Sequence, residues 1–249
     1  MMTALVDAHC HVMDLADPPS AIRRALDSGV VIVGVTNHAE EFQAAKGRFA
    51  TAKNVRLAVG LHPLLAGRLS ARDVAAFLRA AEGADYIGEV GLDYSRDGAS
   101  SKARQQAVLD EILADARLGG KVWSFHSRRA DEDVIARLER PTIRLTPVLH
   151  WFTGAVALVD RAVAAGCYFS INESMLAGSK AGQLLARVPR ERVLTETDAP
   201  YGRHAGRANA PSDIVATVHR LAGAWEVTID EAREQVLANM TAAFTSART

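Results

Sequence analysis

The feature that most restricts this chain is an alternation. Eight short, apolar runs rich in β-branched residues are separated by longer Ala-, Arg- and Leu-rich stretches with helical spacing. The runs are ALVDAH (4–9), VVIVGVT (30–36), VRLAVGL (55–61), DYIGEVG (85–91), KVWSFH (121–126), IRLTPVLH (143–150), CYFSIN (167–172) and RVLTET (192–197). Each is apolar nearly throughout, the pattern of a strand buried on both faces. Between them, PSAIRRALDSG (19–29) begins at a proline and ends at Gly29, as helices do. SARDVAAFLRAAEG (70–83) places Ser70 as an N-cap with Asp73 three residues on. The stretches 103–120 and 154–166 read as helices in the same way, and two more are expected around 211–223 and 228–244. No linker, low-complexity tract or shift in composition interrupts the series. Eight strand–helix units in 249 residues predict one (β/α)8 barrel, a single domain over 1–249. A doubly wound open sheet is the alternative, but no GxGxxG follows the first strand.

Bulk properties narrow the classes of partner. The chain is 49% hydrophobic with a formal net charge of zero, which excludes a uniformly basic nucleic-acid coat while allowing a local basic patch. The start, MMTALVDAHC, lacks the basic and apolar regions of a signal peptide. No apolar run approaches the roughly 20 residues that cross a membrane. Cys10 and Cys167 sit in strand-like contexts and read as reduced, buried residues. The expectation is a soluble, cytoplasmic protein without membrane contact.

In such a barrel the active site lies at the C-terminal ends of the strands. Polar residues collect there. His9 and His11 end the first strand and His62 follows the third. Glu89 ends the fourth with Asp93 just beyond, His126 ends the fifth, His150 the sixth, and Glu196 and Asp198 the eighth. Alternate residues of a strand face the same way, so His9 and His11 project together while Cys10 points away. Two imidazoles on one side of a strand make half a metal site. His126, His150, Asp198 and Glu89 can supply the rest. Four histidines and two carboxylates exceed the needs of one tetrahedral ion. The surplus suggests two divalent cations sharing a carboxylate, with Glu89 the best bridging candidate, rather than a single zinc with spare outer groups. Candidate ions are Zn, Mn or Mg, and imidazole ligands favour Zn, Mn, Co or Ni over Mg.

The ordered series DAHCH, GLHP, GEVGLDY, HSR, HWFTG and TETDAPY, with the later RANAPSDI and NMTAAF, resembles the TatD family of metal-dependent deoxyribonucleases among the amidohydrolase-like barrels. The likeness runs from residue 6 to about 244. It implies that His9, His11, Glu89, His126, His150 and Asp198 are metal ligands and that His62 sits close to the substrate phosphate. FHSRRA, VLHWFTG, GCYFSI and RVLTETDAPYG carry a narrower likeness to the TatD-like subunit of bacterial Qat anti-phage gene clusters. Two departures stand out. Trp123 and Ser124 replace the usual residues ahead of the strand-5 histidine, and Trp151 follows His150 where a small residue is common, narrowing the cleft.

The resulting expectation is hydrolysis of DNA phosphodiester bonds by two-metal activation of water, as an exonuclease on single-stranded or frayed ends. Catalysis would fall to Glu89 and Asp198, with Asp198 orienting the water and taking its proton. His62, Asp93, Arg128, Trp151 and Tyr201 are candidate substrate contacts. Arg129, Arg203 and Arg207 are further phosphate candidates, and Tyr94 and Phe152 further stacking surfaces. Two other readings remain at this stage: hydrolysis of an amide or (aminoacyl) ester bond, and a defence-complex subunit whose activity depends on partners. Relatives of the first kind often bridge their metals with a strand-4 lysine, and DYIGEVG has none. His38, His204 and His219 receive no role.

Overall fold

A computed structural model describes residues 4–247. All eight runs form parallel strands: β1 Leu5–Cys10, β2 Val30–Gly34, β3 Val55–Leu57, β4 Tyr86–Gly91, β5 Val122–His126, β6 Thr146–His150, β7 Tyr168–Ile171 and β8 Val193–Thr195. β1–β2–β3 and β4–β5–β6–β7–β8 hydrogen-bond in sequence order. Two seams join these arcs into a ring. At one, Val59 bridges Ile87, and Gly88 N–H donates to Val59 O at 2.9 Å. At the other, Asp198 N–H donates to His9 O at 2.9 Å and the Thr195 hydroxyl to Val6 O at 2.7 Å. The fold is the expected α/β barrel.

Among the described residues ten α-helices accompany the strands: α1 Pro18–Asp27, α2 Ala39–Arg48, α3 Ala71–Glu82, α4 Lys102–Leu113, α5 Asp131–Leu138, α6 Val159–Ala164, α7 Glu173–Ala177, α8 Ala181–Arg187, α9 Ile214–Trp225 and α10 Ile229–Ala247. At α3, Ser70 accepts from Asp73 N–H while Asp73 accepts from Ser70 N–H at 2.8 Å, the reciprocal box expected there. The interior is packed. Seven of the strands contribute side chains to it, Val6, Tyr86, Val122 and Tyr168 among them, with Ala58 just past the end of β3, and Met240 and Ala243 of α10 close its lower end. A larger apolar layer lies between strands and helices.

Several boundaries differ from expectation, each for a local reason. β3 ends at Leu57 rather than 61, because the Thr36 side chain takes over the ladder. Its hydroxyl donates to Ala58 O at 2.9 Å and accepts from Gly60 N–H at 3.2 Å. Backbone approaches Gly60 so closely that a Cβ there would lie 1.7 Å from Thr36 O. The helix expected over 103–120 stops at Leu113, and Asp115 caps a separate 3-10 turn by accepting from Arg117 N–H at 3.0 Å. α2 and α5 carry acidic first turns, Glu40–Glu41 and Asp131–Glu132–Asp133, which suit a helix N-terminus. A short hairpin, β9 Arg203–His204 with β10 Arg207–Ala208, follows β8.

Candidate metal centre

The registers of β1 and β4 slip between Asp7 and Cys10 and between Ile87 and Val90. Such irregularities re-aim side chains beside active sites. Val6 and Ala8 face the interior, but Cys10 lies in the outer layer, with its thiol 3.6 Å from Ala199 O. The slip therefore turns His9 and His11 inward together, their ring centroids 5.2 Å apart. In β4 it turns Glu89 to the same mouth.

Glu89 is the hub. Its Oε2 faces His9 Nε2 at 3.6 Å, His11 Nε2 at 3.3 Å and His62 Nε2 at 3.4 Å. Its Oε1 faces His126 Nδ1 at 2.5 Å and His150 Nε2 at 3.6 Å. Asp198 Oδ1 lies 3.8 Å from His9 Nε2 and 3.5 Å from His11 Nε2. Asp198 and Trp151 both hold left-handed backbones, with φ of 50° and 39°. Non-glycine residues seldom adopt that conformation, and it concentrates at functional sites. The six residues expected as ligands thus converge on one rim.

Whether this rim suits cations follows from its polar atoms. His9 Nε2, His11 Nδ1 and Asp198 Oδ1 are buried without a hydrogen-bond partner. A buried polar atom without a partner is costly. Here two of these atoms converge with the Glu89 carboxylate on one point. Three overlapping groups have donor atoms close enough to share an ion: His9–His150–Asp198, His9–His11–Glu89 and His62–Glu89–His126. The mixed imidazole and carboxylate donors fit Zn or Mn.

Outer partners orient the imidazoles. His9 Nδ1 meets Ser124 Oγ at 2.7 Å, His126 Nε2 meets Asp93 Oδ2 at 2.8 Å, and His150 Nδ1 meets Glu196 Oε2 at 2.9 Å. Glu196 also accepts from Trp151 N–H at 3.1 Å, from Asn172 at 3.0 Å and from the Ser170 hydroxyl. Asp7 accepts from Thr197 N–H at 2.9 Å and from its hydroxyl, tying the Asp198 turn to β1. Sequence reasoning left Glu196, Ser124 and Asp7 without roles. Their signal was spacing, since each stands two residues from an expected ligand. Ser170 and Asn172 gave no signal, because β7 ends without a charged side chain.

Charge is divided within the cluster. Burial would raise Glu89, but His62, His126 and His11 hold its carboxyl well below the usual range. Burial lowers His126 and His150, yet Glu89 and Asp93 raise the first to about 9, and Glu196 and Asp198 raise the second to about 10. Burial pushes Asp198 up to about 7 against the pull of His150 and His11. Burial also drives His9 well below its ordinary value and His62 down to about 4.

The candidate substrate contacts divide. Arg128, Trp151, Tyr201 and His62 line a cleft of about 990 Å³ above the cluster. Tyr201 is 59% exposed, stands edge-on to His11 at 5.0 Å and donates to Asp14 at 3.0 Å. Asp93 borders the cleft, but its carboxylate is taken up by His126 and by Ser95 N–H at 2.7 Å. It orients His126. Other rim candidates turn elsewhere. Tyr94 donates to Asp133 at 2.6 Å beneath Lys102, and Phe152 is buried against Phe169. Arg207 pairs with Asp213 at 2.7 Å, and Arg203 donates to Gly206 O at 2.8 Å. Arg129 is exposed and outside the cleft lining. His38 caps α2, His204 pairs with Glu173, and His219 is exposed on α9.

Comparison with known proteins agrees with this architecture. Residues 6–245 match the family model described as TatD related DNase. The chain is 35% identical over 196 residues, 74% of each chain, to the 3'-5' ssDNA/RNA exonuclease TatD of Edwardsiella piscicida. It is 31% identical over 237 residues to an uncharacterized metal-dependent hydrolase, TatD, of Mycobacterium tuberculosis, covering 88% of this chain and 89% of that one. The crystal structure of YjjV, a TatD homologue from Escherichia coli, superposes with a TM-score of 0.87 at 27% identity, covering 98% of this chain and 99% of that one. With its barrel, its rim of imidazoles and carboxylates and these likenesses together, the chain belongs to the TatD-related DNase family, hydrolases that act on the ester bonds of DNA.

Proposed function

We propose that the chain, acting as one barrel domain over 1–249, is an exonuclease that uses two divalent cations to hydrolyse phosphodiester bonds at single-stranded or frayed DNA ends. The observation that carries this reading is the two-sided environment of Glu89. One carboxylate oxygen faces His9 and His11, and the other faces His126 and His150. On this reading His9, His11, Glu89 and Asp198 would hold one ion, and Glu89, His126 and His150 would hold the other. When bound, such a pair supplies charge neutralisation for the phosphodiester and lowers the pKa of water towards neutral.

The chain's own residues do the rest. Asp198, with Oδ1 3.8 Å from His9 Nε2 and 3.5 Å from His11 Nε2, would orient the attacking water and take its proton. His62 Nδ1 accepts from Leu64 N–H at 3.2 Å, so the proton of the neutral ring sits on Nε2, at the cleft. That Nε2–H faces Glu89 Oε2 at 3.4 Å, and on this reading it would donate to a substrate phosphate entering the cleft rather than ligate an ion. Arg128 offers a charged fork at the same cleft. Trp151 and Tyr201 offer faces on which unstacked bases can lie, which favours single strands over an intact duplex. The name of the Edwardsiella relative supports the same substrate class. Glu89 on β4, in place of a lysine, favours phosphodiester over amide or aminoacyl-ester cleavage. The narrower motif likeness supports service in an anti-phage defence complex, with other subunits as partners in the cytoplasm. Among the described residues no helix is long and apolar enough to cross a membrane.

End-labelled single-stranded and duplex DNA, incubated with the protein and Mg, Mn or Zn or with chelator, tests the reading. Stepwise, metal-dependent shortening of the single strand is expected. Digestion that persists in chelator, or an Asp198→Asn variant that digests normally, would overturn it. If the wild type digests only after its genomic neighbours are added, partner dependence replaces autonomous activity.

A further inference from the structure

We propose that Asp14 is a positioning residue for His11 and that the Tyr201 hydroxyl holds Asp14 in place, so that an exposed aromatic of the cleft supports a metal ligand. The inference rests on the metal-centre reading above, and it concerns two residues outside the ligand set. The ligand rings are not equally supported. His9, His126 and His150 each meet an outer partner, at 2.7, 2.8 and 2.9 Å. His11 does not. It is 3% exposed, and its Nδ1 is buried without a hydrogen-bond partner. Its Nε2 faces Glu89 Oε2 at 3.3 Å and Asp198 Oδ1 at 3.5 Å. A neutral ring that offers Nε2 to a cation carries its proton on Nδ1, and that N–H needs an acceptor.

Asp14 supplies one. Its Oδ2 stands 3.8 Å from His11 Nδ1. That is too long for a hydrogen bond, but a displacement of about 1 Å brings the pair to charge-assisted distance. Backbone bonds hold the parties together. Asp14 N–H donates to His11 O at 3.0 Å, and His11 N–H donates to Ala199 O at 2.8 Å, just ahead of Tyr201 in the chain. Tyr201 completes the triangle. Its hydroxyl donates to the same Asp14 Oδ2 at 3.0 Å, and its ring stands at 87° to the plane of His11. A carboxylate oxygen has two lone pairs, so Oδ2 can take both protons. The Asp14 side chain is 33% exposed, and without the Tyr201 hydroxyl it would turn to water. Asp14 and Tyr201 both line the cleft, so the support for this one ring comes from the substrate side, whereas the partners of His9 and His150 are buried.

The test compares wild type, Asp14→Ala, Asp14→Asn, Tyr201→Phe and the Asp14→Ala/Tyr201→Phe double variant. Chelator competition reads Zn affinity, and ring 15N–1H correlations of the Zn-loaded proteins read the His11 Nδ1 proton. Loss of an outer partner of a metal-binding histidine lowers affinity by about 10–100-fold, and Asp14→Ala should fall in that range. Asp14→Asn keeps an acceptor and should lose less. Tyr201→Phe keeps the ring but removes one hydrogen bond, which corresponds to a loss of about 2–10-fold. In the Asp14→Ala background the same change should add nothing, because the two residues act in series. The His11 Nδ1 proton should exchange with water faster in Asp14→Ala and in Tyr201→Phe than in wild type. An Asp14→Ala variant with wild-type Zn affinity and proton exchange would overturn the proposal. So would a Tyr201→Phe variant with unchanged Zn affinity, the result expected if Tyr201 is only a stacking face, or a Tyr201→Phe loss equally large with and without Asp14. A wild type that binds no Zn refutes the metal centre itself, and this inference falls with it. Tight Zn binding that ignores Asp14 refutes this inference alone.

Discussion

Glu89 is buried among histidines, and its carboxyl is held well below the usual range by the imidazoles it faces. Replacing it with Ala removes the carboxylate whose one oxygen faces His9 and His11 and whose other oxygen faces His126 and His150. Glu89→Ala should abolish metal-dependent digestion while far-UV circular dichroism stays native. Asp198→Asn keeps the shape but removes the proton acceptor, and digestion should fall by about 100-fold or more. His126 and His150 raise a further point about protons. Their values of about 9 and 10 leave both rings charged at pH 7 before any ion arrives. An imidazole must be neutral to ligate, so binding expels protons and affinity rises with pH. Calorimetric titration with Zn at pH 7, in buffers of differing ionisation enthalpy, should register a net release of protons.

At the scale of the element, the ends of β1, β4 and β8 do the positioning. The irregularities in β1 and β4 turn inward His9, His11 and Glu89, which strict alternation from Val6, Ala8 and Tyr86 would leave on the outer face. Gly60 stands where β3 gives way to the loop carrying His62, pressed against the Thr36 backbone. Gly60→Ala cannot be relieved by a side-chain rotation, and it should destabilise the fold by about 3 kcal/mol, read as a lowered midpoint in urea. Helix boundaries were easiest to read where side-chain chemistry is local, as at Ser70 and Asp73, whose reciprocal hydrogen bonds depend only on spacing. α2, α5, α7 and α8 were not legible: α2 buries only Phe42 and Ala45, and the other three, of eight, five and seven residues, are too short to show a period.

For the whole molecule, the cluster lies near the β8–β1 seam that closes the ring, so its charge state enters the stability of the barrel. Asp7, raised to about 8 chiefly by burial, and His126 and His150, raised by their carboxylates, all keep protons in the folded state that the unfolded chain releases. For a group whose folded value is raised, the stability gained is present below its unfolded value and lost as pH rises through its folded value. The metal-free protein should therefore lose thermal stability steadily between pH 7 and pH 10. Adding Zn should offset that loss. An ion present at 100 times its Kd stabilises the folded state by about 2.7 kcal/mol, and the melting temperature should rise with Zn concentration and fall on chelation.

The sequence alone determined that eight strands alternate with helices, and that the histidines and acids fall at strand ends. Both depend on short-range patterns: apolar runs that suit two buried faces, and polar residues immediately after them. Only the tertiary structure decided which neighbours orient those groups. Ser124 on β5 meets His9 from β1, Glu196 after β8 meets His150 from β6, and Asp93 turns from the substrate side to hold His126. These pairs join residues 33 to 115 positions apart. Their contact depends on ring closure and on two register slips, and neither leaves a mark in local composition.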